Sequence, residues 1–292
     1  MKWGSVKTLF IIAFLILNFF LAQQLLEKID ETNLETLSQT TFEDGLAAED
    51  ITIGELPESG MKASYVSAER YLLSEDDKET LEESLANQNI AIINNQTIVS
   101  EFIKPVPVGL DDESTTVMET LSEYVIYDDI YELWKYDEEK NVLLFFQKQN
   151  DRTVLFNKAG VLYVKLNEEQ EAVSYYQTLL NEVRVQGDPQ TVVDPMNAIE
   201  SVFNSNEVLR PEDHISDMKL AYHSLLALKG EEQEEQVFTP TWMIEINDGE
   251  RYAFVNAMEG QTIPTDENMY MQEIESTLEQ QLETHIRSDE EE

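Results

Sequence analysis

Cysteine is absent from all 292 residues of the chain. This absence excludes a disulfide framework, thiolate metal sites and a cysteine nucleophile. The stability of the fold must therefore come from hydrophobic cores. An apolar content of 42% in a chain of this length is sufficient for them.

Basic residues are scarce as well. The sequence has 19 Lys and Arg against 59 Asp and Glu, which gives a formal net charge of −40. A chain of this charge is excluded as a partner of nucleic acids and of anionic membrane surfaces, because both repel it. The acids are spread along the whole chain, so solvation is the default interpretation of the charge.

Catalytic and metal-binding motifs are also missing. The three histidines, His214, His223 and His285, are far apart and form no HExxH pattern, and the sequence has neither a GxSxG motif nor a glycine-rich phosphate loop. His223 alternates with apolar residues in a predicted strand, so we interpret it as structural. Acid pairs such as Asp128-Asp129 are expected by chance among so many carboxylates, and none matches a calcium-binding loop. The sequence thus predicts neither an enzyme nor a bound cofactor or metal.

The chain has one long uncharged apolar segment, residues 8–26. As a helix it is ~28 Å long, which matches the hydrocarbon thickness of a bilayer. A cleaved signal peptide fits less well, because no A-x-A-like site follows the segment. A buried helix of a soluble domain fits less well too, because such helices are usually amphipathic. We therefore predict a cytoplasmic stub and transmembrane anchor over residues 1–26.

Charge predicts the orientation of this anchor. Lys2 and Lys7 precede the segment, whereas acids from Glu27 onward follow it. By the positive-inside rule the N-terminus is cytoplasmic and the rest of the chain is extracellular, which predicts a single-pass protein of the cell membrane. Asn18 and Ala22, one helical turn apart, are our hypothesis for a helix–helix contact, because an amide in lipid tends to face another helix. The alternative is that a single Asn is simply tolerated there.

The remaining chain is predicted to be α+β, with antiparallel sheets packed against helices. We predict a helical neck and acidic linker over 27–60, a first α+β unit over 61–187, a second over 188–287 and a disordered acidic tail over 288–292. Helices are predicted at 75–86, 115–124, 196–203 and 267–286. Strands are predicted at 63–73, 89–93, 96–103, 130–136, 141–147, 152–156, 161–166, 172–184, 215–228, 241–246 and 250–255, with a break in the pattern at 104–109.

Two segments about a hundred residues apart resemble each other. Residues 151–160 and 250–260 both read as an acid, an Arg, an apolar strand and then an Asn and a Gly of a turn. This similarity suggests two related sheet-plus-helix units. Common turn chemistry explains it equally well.

The opening MKWGSVKTLFIIAFLILNFFLAQQ resembles that of the YycI family, regulatory proteins of the WalK/WalR two-component system, also named YycG/YycF, in Gram-positive bacteria. Later strings agree with the family: DPMNAIESVF from Asp194, PTWMI from Pro240 and YAFVNAMEG from Tyr252. The resemblance covers nearly the whole chain, and none of these strings is a catalytic signature.

This resemblance implies a membrane-anchored extracytoplasmic regulator of an essential sensor histidine kinase, WalK. It implies contact through transmembrane helices and action together with a related membrane protein, YycH. The alternative is an anchored extracellular protein that binds a ligand or acts on the cell wall. The sign of regulation, the oligomeric state and the surface that meets the partner are open at this point.

Overall fold

The computed structural model describes residues 14, 18, 42–83, 87–110, 114–205, 207–224 and 235–290. They form a sheet-rich α+β fold, as predicted. Its strands are β1 Thr52–Ile53, β2 Lys62–Glu69, β3 Gln88–Ile93, β4 Thr97–Pro107, β5 Tyr131–Asp137, β6 Val142–Gln149, β7 Arg152–Leu155, β8 Val161–Leu166, β9 Glu171–Thr178, β10 Arg184–Thr191, β11 His214–Ser224, β12 Glu235–Ile246 and β13 Arg251–Asn256. Its helices are α1 (42–48), α2 Glu75–Glu83, α3 Ser114–Leu121, α4 Pro195–Ser205 and α5 Glu267–His285.

The predicted anchor lies outside this description, except for Phe14 and Asn18, which are both helical. Among the described residues, no helix has both the length and the apolar character that crossing a membrane requires.

The strands join into one sheet in the order β10-β2-β12-β11-β7-β6-β8-β9-β4-β3, with β1, β13 and β5 on branches. Most neighbours are antiparallel, as predicted, but β1 and β7 each run parallel to β11. The four residues of β7 connect two halves of the sheet. Lys148 of β6 pairs with Thr153, and Tyr222 of β11 pairs with Val154.

Helix α5 covers the apolar face that the two halves share. Asp266 caps the helix by accepting a hydrogen bond from the Met269 N–H at 2.9 Å. One stripe of α5, at three- and four-residue spacing, packs into the core: Tyr270, Met271, Ile274, Leu278 and Leu282. The core beneath it contains Phe146 and Tyr163 from one half of the sheet and Met243 and Phe254 from the other.

Basic side chains of the sheet surround α5 and bind its acids. Lys158 contacts Glu273 at 2.7 Å, and Lys165 lies 2.7 Å from Glu279. Just beyond the helix, the Arg287 guanidinium contacts Glu101 of β4 at 2.6 Å. These pairs fix the helix against the strands along its length.

Turn chemistry accounts for several confirmed elements. The β3–β4 hairpin turns at Asn94 and Asn95, whose φ angles of 51° and 60° are in the left-handed region that Asn tolerates. The Asn247-Asp248-Gly249 turn before β13 likewise has positive φ at all three residues. The α4 helix begins after Asp194, whose carboxylate accepts from the Met196 N–H at 3.0 Å.

The predicted break at 104–109 was wrong, because β4 continues to Pro107. Its register with β9 shifts between Glu101 and Val106, and its pairing with β3 ends at Phe102. Pro105 therefore lies where the ladder is already interrupted, and its missing N–H costs no ladder bond there.

Strand β10 was missed, and the predicted strand over 172–184 is shorter, ending at Thr178. All eight residues of β10 are exposed, and they include Gly187 and Pro189. An edge strand that buries neither face has no alternation of apolar residues, so the sequence pattern gave no signal.

Regular structure is present in two further segments, one within the predicted neck and linker over 27–60 and one that reaches into the predicted tail over 288–292. Residues 42–48 are helical and Thr52–Ile53 form β1. Residues Arg287–Glu290 form a 3-10 helix, which the ion pair of Arg287 holds to β4.

The division into domains and the internal repeat stay predictions. The side chains of Asn157 and Asn256 make equivalent turn contacts, as the shared turn chemistry requires. Each Oδ1 accepts a hydrogen bond from the backbone N–H two residues later in the chain.

Tyr127 lies at the surface, beside the start of α2. It is 42% exposed, and its hydroxyl donates to the buried Asp77 carboxylate at 2.8 Å. Tyr71 and Ser74 also donate to Asp77, both from their hydroxyls. Burial opposes ionisation of Asp77, but these hydrogen bonds outweigh it and lower its pKa. The cluster joins the start of α2 to the loop that follows α3.

We expect Leu278→Ala to lower the free energy of unfolding by about 2–5 kcal/mol, because it leaves a cavity under α5 where the side chain is fully buried. Chemical denaturation measures this change. The exposed Gln280→Ala on the same helix is the matched control, with an expected effect of about 0.5 kcal/mol or less. Equal effects of the two substitutions would show that α5 does not support the core.

Candidate functional site

The two residues of the predicted helix–helix contact fall at the edge of what is described. The Asn18 side-chain amide donates to the Phe14 carbonyl at 2.9 Å, one turn earlier in the same helix. This bond satisfies one amide hydrogen locally, as tolerance of a lone Asn would require, and leaves its carbonyl oxygen for another donor. Ala22 lies outside the described residues.

The segment that follows the predicted anchor and neck docks firmly onto the sheet. We call residues 42–54 the entry junction. Phe42 and Leu46, four residues apart on one face of α1, are 4% and 6% exposed, and Ile51 is buried beside them. The Phe42 ring meets Phe203 of α4 edge-on, with centroids 5.6 Å apart.

Gly45 allows this close approach. A Cβ at this position would lie 3.1 Å from Cζ of the Phe203 ring, closer than side chains normally pack. Because the ring is held on α4, a larger residue at position 45 would push the two helices apart.

Backbone hydrogen bonds continue the attachment after α1. The Thr52 N–H donates to the Asp213 carbonyl at 3.0 Å, and the Gly54 N–H donates to the Ile215 carbonyl at 2.9 Å. These bonds make β1 a parallel extension of the sheet beside β11. A hydrogen bond of 2.8 Å also joins Thr52 Oγ1 to His214 Nδ1.

A buried carboxylate organises the strand to which the junction attaches. Asp213, 3% exposed, accepts hydrogen bonds from the Arg251 guanidinium, the Arg210 N–H and the Asn247 amide. Burial opposes ionisation, but these donors outweigh it and lower the pKa of Asp213. Arg251 also donates to the Val208 carbonyl, so one cluster connects the end of α4 to β11 and β13.

The entry junction fixes residues 42–54 in position against the sheet. Its described residues do not form a catalytic or metal-binding arrangement. Within the described ranges, no three His, Cys, Asp or Glu side chains are grouped so as to hold a metal ion. His214 lies at the entry junction, His223 lies in the aromatic core, and His285 is exposed near the end of α5.

His223 is structural, as interpreted from its strand pattern. Its ring lies 6.2 Å from both Phe156 and Phe254, and its Nδ1 contacts the Ser224 carbonyl at 3.2 Å. Its Nε2 is buried, with no hydrogen-bond partner in the described part of the chain. Burial lowers its pKa, because the imidazolium would lose its hydration there.

The entry junction was not predicted from the sequence. The signals were faint: Phe42 and Leu46 at i, i+4 spacing, and the β-branched run Ile51-Thr52-Ile53. Its partners, Phe203 and Asp213 to Ile215, are more than 150 residues away in sequence, and no local pattern reveals such pairing.

We expect His223 to make folding stability fall below pH 6.5. Its pKa is lowered in the folded state, so between its ordinary value and the folded value only the unfolded chain binds the proton. Stability is thus fully present above pH 6.5 and falls by up to about 1.4 kcal/mol per pH unit beneath it. The measurement is denaturant unfolding between pH 5 and 7.5, in which His223→Phe should remove this part of the slope. Exposed His285→Gln is the control, and identical slopes for both variants would contradict the assignment.

Comparisons with known proteins give one sequence family. The family described as YycI protein matches residues 30–258. None of the curated proteins matches the chain.

Two solved structures have a distant similarity to this chain. An uncharacterized protein from Eubacterium rectale is 12% identical with a TM-score of 0.41, covering 74% of this chain and 91% of its own. The YpeB C-terminal domain of Bacillus megaterium is 13% identical with a TM-score of 0.40, covering 67% of this chain and 97% of its own. Both are distant likenesses.

Proposed function

The chain belongs to the YycI family, which indicates a regulator of the WalK/WalR system rather than an enzyme, and from this we propose how it acts. It is a single-pass membrane protein with a cytoplasmic N-terminus and an extracellular domain. Its N-terminal helix packs against the membrane helices of the sensor kinase WalK, and it acts together with a YycH-type partner. Family membership is the observation that carries this proposal.

The entry junction supports the mechanism. A sensor kinase that switches by small movements of its membrane helices is biased by a helix that packs better against one of its states. Such a bias depends on the extracellular domain only if the domain and the helix move together. The buried contacts of Phe42 and Leu46 and the β1–β11 pairing support this mechanism, because they attach residues 42–54 firmly to the domain in a region predicted as an acidic linker.

The side-chain carbonyl of Asn18 gives the helix a polar point of contact. Hydrogen bonds between membrane helices contribute roughly 1 kcal/mol, and a coupling free energy of about 1–3 kcal/mol changes activity about 5- to 150-fold. Ala22, one turn further on, is small enough to let a second helix approach.

We expect Asn18→Leu to weaken association with the kinase, because the leucine packs in lipid but offers no hydrogen bond. The measurement is co-purification of WalK with the full-length chain from membranes. Asn18→Gln keeps the amide and should restore most of the association. Undiminished co-purification of the kinase with Asn18→Leu would rule out this contact.

We expect Gly45→Leu to uncouple the extracellular domain from the helix, because the added side chain collides with Phe203. Output of a WalR-dependent reporter should move by about fivefold or more toward that of cells lacking the chain. Ala47→Leu adds a similar side chain on the exposed face of α1 and should leave output unchanged.

Phe42→Ala tests the same contact by removing the ring instead of crowding it, and it should reproduce the effect of Gly45→Leu. Thermal unfolding of each purified variant shows whether the domain stays folded. If both variants are folded and reporter output stays at the wild-type level, the entry junction does not carry the signal.

A further inference from the structure

Strand β11 is paired to different parts of the fold near its two ends. Its first two residues pair with β1 of the entry junction. Near its other end, Tyr222 pairs with Val154 and His223 pairs with Leu155 of β7, the short strand that connects the two halves of the sheet. We call these two residue pairs the seam. A ladder of only two pairs can open without unfolding the longer strands on either side of it.

His223 has one ring nitrogen with a hydrogen-bond partner and one without. A carbonyl only accepts, so the contact of Nδ1 with the Ser224 carbonyl at 3.2 Å assigns the ring proton to Nδ1. Nε2 is then a buried acceptor, and it has no donor among the described residues. A proton on Nε2 would make it a donor that is equally unpartnered, and would add a charge in a place where water is excluded. The ring therefore fits the seam in its neutral form.

The ring packs among aromatic side chains. The centroids of Phe156 and Phe254 lie 6.2 Å from it, at the limit of the distance over which an aromatic face attracts a cation. Phe156 directly follows β7, and its φ of 49° is in the left-handed region that a bulky residue seldom adopts. Besides His223, four rings hold Phe156 in this conformation: Trp134, Phe146, Phe254 and Tyr270.

The ring of His223 has no charged partner in the described part of the chain. The elements around it place these ionisable groups on the same side of the sheet: Glu132, Lys158, Lys219, Glu235, Glu245, Tyr252, Tyr270 and Glu273. Lys158 binds Glu273, and Glu132 accepts a hydrogen bond from the Thr153 hydroxyl at 2.6 Å. None of the eight is among the causes of the lowered pKa of His223, which are burial and, opposing it, the contact with the Ser224 carbonyl.

From the unpartnered Nε2, the two-pair seam and the strained Phe156, we propose that His223 is a pH-sensitive switch whose protonation opens the seam. The imidazolium leaves the aromatic cluster and is hydrated, β7 separates from β11, and Phe156 relaxes to an ordinary backbone conformation. The path to water is short, because His223 is partly exposed and lies one residue before the end of β11.

The opening is local. The core under α5 and an isolated bridge between Arg70 and Leu180 keep the two halves of the sheet together when the seam opens. Because β11 stays paired with β1, acid changes how the entry junction is held to the other half of the sheet.

Native-state hydrogen exchange of the full-length chain in a neutral detergent measures the opening. Protection factors, corrected for the intrinsic effect of pH on exchange, are followed from pH 7.5 to 5. At the protected amides of residues 153–156 and 222–224, the opening constant should rise by up to about tenfold per pH unit below pH 6.5, and by up to about 30-fold in all. The amides of the β3–β4 hairpin are the internal control. Fraying of that hairpin leaves His223 buried, so its opening constant should not depend on pH.

The same measurement separates the seam from global unfolding. Strand β8, Val161–Leu166, is paired on both sides, and its amides report on global unfolding. The seam amides should have opening constants at least tenfold above those of β8 at every pH. A low concentration of urea should speed exchange at β8 much more than at the seam, because local opening exposes little surface.

Two variants test the role of the ring. His223→Gln is neutral at every pH, and His223→Phe fills the aromatic cluster with an uncharged ring. Each should make the opening of the seam independent of pH, whereas exposed His285→Gln should keep the wild-type dependence.

Three results would overturn the proposal. One is an opening constant of the wild-type seam that does not change with pH. A second is a seam that opens only together with β8. The third is a wild-type pH dependence that survives in both His223 variants.

Discussion

The packing of α5 across both halves of the sheet is the interaction on which the rest of the structure depends. In the sheet the short strand β7 connects the halves, with two residue pairs on each side, and an isolated bridge between Arg70 and Leu180 joins them a second time. Such a ladder alone would leave the halves free to twist against each other. The stripe of α5, from Tyr270 to Leu282, closes a core to which both halves contribute, and so fixes the strands that carry the entry junction.

The charge of the chain gives this helix a second role. In a protein of net charge −40, the acids repel one another and this repulsion destabilises the compact state. Basic residues that bind acids reduce the repulsion. Lys135, Lys158, Lys165 and Arg287 are all directed to α5 or its end. Single exposed pairs contribute about 0–1 kcal/mol, so their importance is in the positioning of the helix.

Local chemistry allowed much of the fold to be predicted. Strand β8 was predicted at its observed bounds, since Val161 to Leu166 is an apolar, β-branched run bounded by turn residues. Strands β3 and β4 and helix α4 were predicted too, since Asn94-Asn95 favours a tight turn between the strands and Asp194 favours the start of a helix. The exposed β10 and the bulged end of β4 were not, because their stability comes from neighbouring strands that no local window contains.

The candidate site was harder still. The entry junction joins residues 42–54 to Phe203 of α4 and to Asp213 beside β11. It depends on distant segments that the sheet brings together, and no local sequence pattern reveals them.

The unusual composition of β10 has a consequence for aggregation between copies of the chain. An open strand edge is a template for pairing with other chains. Gly187, with its φ of 73°, and Pro189 lie within an irregularity between Gln186 and Gln190, where the regular ladder is lost. Neighbouring copies therefore find no continuous edge on which to aggregate at this end of the sheet.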